Sequence, residues 1–191
     1  MNVLAINGSP RKDGNTALLI RETLMQLEAE GIETELVQIG GMPIRGCTAC
    51  GACYERKDRK CIMTGDPVNE IIGKMDKADA IILGSPTYFA DVSAEMKALI
   101  DRAGFVGGAN EKMWRRKVGA AVVAVRRCGA IHVFDTINHF FLISEMIIAG
   151  SSYWNMGIGL EAGGVSSDEE GIDTMKTLGR NMAWLLKKLK N

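Results

Sequence analysis

The chain predicts an α/β fold: one doubly wound, five-stranded parallel sheet with strand order 2-1-3-4-5, sandwiched between two layers of helices. Short apolar runs alternate with amphipathic stretches, five of each in strict succession, as in a parallel sheet covered on both faces. The two loops richest in chemistry follow the first and third strands, which meet at the topological switch point of such a sheet. Strands are expected over 3–6, 35–39, 80–83, 118–125 and 146–150, and helices over 16–30, 67–76, 92–102, 131–145 and 168–189. The glycine-rich stretch 104–110 reads as a surface excursion. The terminal LLKKLKN reads as a helix end whose lysines face the negative pole of the helix dipole.

With 191 residues, 47% of them hydrophobic, the chain can bury one sizeable core and hardly two, so a single domain over 1–191 is expected, with a cysteine-rich loop at 46–62. The 23 basic residues cancel the 23 acidic ones. That balance offers neither the broad positive surface that tracks nucleic acid nor a polybasic membrane patch. The opening apolar run is too short for a signal peptide and no later run is long enough for a membrane span, so a cytoplasmic protein is expected. Thiols stay reduced in that compartment, which makes a dense cysteine group a metal or redox site before a disulfide frame.

The first loop, Gly8-Ser9-Pro10-Arg11-Lys12-Asp13-Gly14-Asn15-Thr16, enters a helix directly. Backbone amides, the Ser9 and Thr16 hydroxyls, the Asn15 amide and the Arg11 guanidinium can surround a dianionic phosphate there. Lacking both the Gly-Lys-Ser/Thr ending of a nucleoside triphosphate loop and GxGxxG, it suits a mononucleotide phosphate. The competing reading is a tight turn capped by Asn15 or Thr16. The second loop, residues 84–93 (GSPTYFADVS), can hold its backbone against a planar ring while Tyr88 or Phe89 covers the ring face. On spacing alone, aromatics at a strand end are more often core residues than cofactor contacts.

Between these loops, Cys47, Cys50, Cys53 and Cys61 follow a Cys-x2-Cys-x2-Cys-x7-Cys pattern. Two x2 spacings can wrap three corners of a cubane cluster, and a flexible 54–60 segment can bring a fourth thiolate to close it. Zinc sites more often pair two Cys knuckles separated by a longer stretch; four plain thiols, or a dithiol/disulfide pair, are the third reading. The intervening charges at 55–60 read as a solvated loop whose net positive charge could dock an acidic ferredoxin.

GSPRKDGNT followed by GSPTYFADVSAEMKALIDR resembles the flavodoxin-like NADPH-dependent FMN reductase superfamily, and the intervening cysteine pattern resembles that of the iron-sulfur flavoproteins. The resemblance covers residues 2–157 and implies non-covalent FMN, a [4Fe-4S] cluster and a homodimer or homotetramer in which flavin and cluster of neighbouring subunits approach. By motif position it implies Ser9, Arg11, Asn15 and Thr16 at the phosphate, and Pro86, Thr87, Tyr88 and Phe89 at the ring. Arg127 and Gly129 would close over the flavin, and Cys47, Cys50, Cys53 and Cys61 would hold the cluster.

The remaining polar and aromatic residues point to less. Cys128 stands outside the quartet and reads as a small buried residue or a loop residue, and His132 and His139 lack the company a metal or catalytic site needs. Trp114, Trp154 and Trp184 read as packing or interface residues, and Trp154, which follows the fifth strand, could border the flavin. GIGLEAGG at 157–164 misses the dinucleotide fingerprint in spacing, and no helix starts directly after it.

The expected function is electron transfer from a one-electron donor such as ferredoxin to a small-molecule electron acceptor, with no acid-base catalytic residue required. Two alternatives stay open: a cluster-free FMN or quinone reductase taking hydride from NAD(P)H, and a non-enzymatic thiol or flavin redox sensor.

Overall fold

The sheet seen in the computed structural model, which describes residues 1–190, has the order β2-β1-β3-β4-β5. Its strands are β1 (Asn2–Asn7), β2 (Glu33–Gln38), β3 (Ala80–Pro86), β4 (Val118–Val125) and β5 (Ile147–Ile148), all parallel, and a sixth, β6 (Met156–Ile158), also pairs with β4. The helices are α1 (Asn15–Ala29), α2 (Ala52–Arg56), α3 (Val68–Lys77), α4 (Ala94–Ala109), α5 (Ala130–Ile143) and α6 (Glu169–Lys190), with a 3-10 turn at Gly164–Ser167. None is long and apolar enough to cross a membrane among the described residues.

Strand pleating explains why the buried strands are apolar throughout: successive side chains enter opposite cores. Val3 and Ala5 join Leu19, Ile20 and Leu27 of α1 and Met175, Leu178 and Met182 of α6 on one face. Leu4 and Ile6 join Ile71 and Met75 of α3, Met96 and Leu99 of α4, and Val133 and Phe141 of α5 on the other. Burying each such Leu, Ile or Met contributes about 1.5–3 kcal/mol.

The structure corrects three details. Residues 104–110 are not a surface excursion, because α4 runs on to Ala109. Gly107 is used there for close approach: a Cβ on it would lie 2.0 Å from the Trp114 indole nitrogen, and that indole donates to the Ala103 carbonyl at 3.0 Å. The expected strand at 146–150 shrinks to Ile147–Ile148. Its place beside the carboxyl half of β4 is taken by β6, with Val123, Ala124 and Val125 facing Met156, Gly157 and Ile158.

Candidate functional site

At the carboxyl edge of the sheet, β1 and β3 part to form the floor of a shared site. The Gly8 amide donates across the divide to the Gly84 carbonyl at 2.8 Å. Beyond it the first loop turns tightly, with the Arg11 amide donating to the Ser9 hydroxyl oxygen at 3.2 Å and the Gly14 amide to the Arg11 carbonyl at 3.0 Å. Gly14 caps α1 without a side-chain hydrogen bond, and the first turn holds no acidic residue. The first amides of α1 therefore keep their donors and the positive end of the helix dipole for an anion. Ser9 and Thr16 are buried beside this turn and Arg11 is exposed above it.

Two residues that sequence reading passed over fix this loop. Asn7 Oδ1 accepts from the Ser9 amide at 3.0 Å, and Asn7 Nδ2 donates to Gln38 Oε1 at 2.7 Å. Gln38 in turn donates to the carbonyls of Ser9 and Gly40 at 2.6 and 2.9 Å. A polar pair at the last paired register of β1 and β2, Asn7 opposite Gln38, was the available signal.

Asn15 takes a more specific part than its motif position implies. Its Nδ2 donates to the carbonyls of Gly159 and Glu161, each at 3.0 Å, and its Oδ1 accepts from the Val165 amide at 3.3 Å. The side chain thus staples the 157–164 glycine loop to the start of α1. Asn15→Ala is expected to cost about 1–3 kcal/mol through the unpaired groups it leaves. Faster hydrogen exchange at the Val165 amide would report the released staple, and unchanged exchange there would refute it.

The second loop is held open by its own backbone. The Thr87 amide and hydroxyl both donate to the Ala124 carbonyl, at 2.9 and 3.2 Å. Tyr88 and Asp91 exchange backbone hydrogen bonds at 2.9 and 3.0 Å, closing a tight turn whose central residues Phe89 and Ala90 both have positive φ, 47° and 62°. That conformation favours Gly or Asn, so two ordinary residues there store strain, a recurrent feature of binding sites. Phe89 stands at the tip, fully exposed, with Tyr88 half-exposed below it and Pro86 half-buried at the strand end. Gly129, in the left-handed region at φ 87°, opens α5, and a Cβ on it would lie 3.2 Å from the Ala90 side chain. Arg127 and Cys128 before it are exposed. Trp154 packs at 5.7 Å on Phe134 and 6.2 Å on Tyr153, forming an aromatic wall at this end of the sheet.

The cysteine loop leaves β2 and lies against α4. All four thiols, Cys47, Cys50, Cys53 and Cys61, line one cavity of about 90 Å³, closed on the inner side by Arg102, Phe105 and Val106. No three His, Cys, Asp or Glu side chains among the described residues are grouped tightly enough for a single metal ion; the thiols stand around the cavity instead. The loop winds through left-handed residues at Ala49, Gly51, Lys57 and Arg59 and is tied down around Cys61. Asn69 of α3 accepts from the Cys61 amide at 2.8 Å and donates to the Cys61 and Met63 carbonyls at 2.9 and 3.1 Å. The Arg59 amide donates to Asn110 Oδ1 at 2.9 Å. The Ala52 amide and the Thr48 hydroxyl hold the Cys50 thiol below its ordinary range, and burial pushes the Cys53 thiol up.

Behind the thiols lies a buried ion pair absent from the sequence-based site. The Arg102 side chain is 0% exposed and its Asp66 partner 6%. Besides Asp66, Arg102 donates to the carbonyls of Arg45 at 3.2 Å and Met63 at 3.1 Å, residues that flank the cysteine run. Burial opposes the guanidinium charge; Asp66 and the nearby Cys61 outweigh it, and the group is held above its ordinary range. An arginine on the apolar stripe of a helix, three positions beyond Leu99, was the signal in the sequence.

A sheet of this order, with free helix amides after its first strand and a strained aromatic turn after its third, places a ligand site at the topological switch point of a flavodoxin-like fold. The family model for NADPH-dependent FMN reductase matches residues 1–161, and the chain belongs to that family. Within it the curated relatives include an iron-sulfur flavoprotein of Methanocaldococcus jannaschii, 40% identical over 202 residues spanning all of both chains. Another iron-sulfur flavoprotein, from Methanosarcina thermophila, is 34% identical over 154 residues, covering 80% of this chain and 78% of that one. Among solved structures the fold matches a flavodoxin-class, WrbA-like protein of Agrobacterium tumefaciens at TM-score 0.70 and 14% identity, over 98% of each chain. A flavodoxin from the domain Archaea matches at TM-score 0.64 and 14% identity, over 98% of this chain and 99% of that one. The fold class read from the sequence and the family it resembles are both established, as is the flavin-dependent redox class of the enzyme.

Proposed function

We propose that this chain holds FMN across the loops after β1 and β3 and a [4Fe-4S] cluster on Cys47, Cys50, Cys53 and Cys61, and passes electrons from ferredoxin, a one-electron donor, to a small-molecule acceptor. The observation that carries this reading is the convergence of all four thiols on one cavity against α4. Thiols spread around a cavity suit a cubane, in which each thiolate takes its own iron corner, better than one tetrahedral ion.

FMN supplies one- and two-electron states and the cluster single-electron transfer; the protein contributes binding, distance and orientation. The free amides of α1 and the Ser9 and Thr16 hydroxyls hydrogen-bond the phosphate, and Arg11 supplies a compensating charge. The 86–90 turn and the Gly129 bend fix the ring between loops, with Tyr88, Phe89 and Arg127 shielding it from water. Helix α4 joins the two centres: nine residues separate its cap Ser93, beside the flavin loops, from Arg102 at the cysteine cavity, or about 14 Å along the axis. A homodimer or homotetramer is part of the reading. An apolar groove of about 670 Å³ between α4 and α5, bordered by exposed Phe105 and Ile143, supports an assembled surface.

Iron, acid-labile sulfide and flavin measured per chain after anaerobic purification test the proposal directly. About four irons and four sulfides beside one FMN are expected. Flavin without iron, persisting after reconstitution, would leave the second reading, a cluster-free NAD(P)H-dependent FMN or quinone reductase, which the family match itself favours. Rapid bleaching of the flavin by NADPH without ferredoxin would then identify it.

A further inference from the structure

Arg102 has one side-chain nitrogen, Nε, without a partner. Its side chain is wholly buried, its two terminal nitrogens are engaged by Asp66, Arg45 and Met63, and its Nε–H has no hydrogen-bond partner. An unpaired buried donor beside a charged group is costly to retain, and in native proteins it calls for an acceptor. Arg102 lines the same cavity as the four thiols, so the acceptor available to it is sulfur.

We infer that Arg102 is a positioning and potential-setting residue of the cluster site: its Nε–H donates to a sulfur of the cluster or of Cys61. The inference rests on the cluster reading above. Four considerations support the assignment. A thiolate-bound cluster presents acceptors bearing negative charge, and hydrogen bonds to its sulfurs are a principal lever on its reduction potential. The guanidinium cannot swing away, since Asp66 and the carbonyls of Arg45 and Met63 hold its other nitrogens in the fork that only arginine can fill. Those carbonyls flank the cysteine run on either side, so one side chain both closes the loop and faces its contents. Asp66 makes the arrangement tolerable in the absence of bound iron, since it balances the buried positive charge locally.

The first test is spectroscopic. In anaerobically prepared wild-type protein shown to carry iron and sulfide, one arginine Nε–H resonance should be hyperfine-shifted and protected from exchange, and that resonance should be missing in Arg102→Lys. Arg102→Lys should also weaken stabilisation of the reduced cluster about tenfold, read as a potential lower by about 59 mV for one electron, and release iron to a chelator at least about tenfold faster. FMN content and flavin potential should match wild type, because Arg102 lies away from the flavin loops. If the lysine variant does not fold, the resonance in wild type decides. Iron-loaded wild type with no shifted arginine Nε–H, or a lysine variant whose cluster potential and iron release equal wild type, overturns the inference and leaves the cluster in place. Wild type without iron after reconstitution removes the cluster reading, and this inference with it.

Discussion

Cys61→Ser is expected to strip the chain of iron, from about four atoms to below about one, while one FMN per chain remains. The separation comes from how the cysteine loop is anchored. Cys61 is fixed through its backbone, by Asn69 at 2.8 and 2.9 Å, and Arg102 ties the segments on either side of the cysteine run. Removing the thiol therefore leaves the loop its scaffold and takes away one corner ligand. Serine is close in size, yet its hydroxyl stays protonated at neutral pH and offers hard oxygen in place of soft sulfur. The flavin loops are built from Asn7, Gln38 and the amides of α1, none of which borrows support from Cys61. Iron and sulfide analysis with the visible spectrum would check this. Iron unchanged in the variant would take Cys61 out of the ligand set, and loss of FMN together with iron would mean that the two sites fold as one.

The alternation of strands and helices was legible because buried parallel strands must be apolar on both faces, and here Val3 to Ile6 and Val118 to Val125 are. The loops after β1 and β3 were legible because their Gly, Ser and Pro content breaks that pattern where the fold binds ligands. What escaped was decided by contacts distant in sequence. Residues 104–110 carry the glycines of a turn, yet Trp114 packing draws them into α4. β6 is three residues long, too short to show a period. The pairing of Asp66 with Arg102 and the reach of Asn15 to Gly159 span 36 and 144 residues, and no local window contains them. Four closely spaced cysteines, which the fold brings to one cavity, could be read directly; the buried arginine behind them could not, except as a charge out of place on an apolar stripe.

Gly40→Ala should be the most damaging single methyl at the flavin end of the molecule. Gly40 lies just after β2, its amide donating to the Asn7 carbonyl at 3.1 Å and its carbonyl accepting from Gln38 at 2.9 Å. A Cβ added there would lie 2.1 Å from the Ser9 carbonyl carbon, 2.2 Å from its oxygen and 2.5 Å from the Pro10 nitrogen. Every atom it meets is backbone of the phosphate loop, so no rotamer change relieves the clash and one of the two segments must move. If β2 yields, the Gln38 bridge to Ser9 opens; if the loop yields, the Ser9 and Arg11 amides leave the positions from which they would meet the phosphate. A displacement near 1 Å can cost about 100-fold where geometry sets the interaction, and overpacking of this kind destabilises by about 1–3 kcal/mol. FMN titration of the apoprotein is therefore expected to show affinity weakened about 100-fold, with Tm lower by about 2–12 °C. Gly73→Ala provides the contrast: Gly73 lies within α3 with nothing within 4 Å of a new Cβ, so alanine there should stabilise the helix by up to about 1 kcal/mol and leave FMN binding unchanged. FMN affinity in Gly40→Ala within about twofold of wild type would show that the flavin phosphate is not held by this loop.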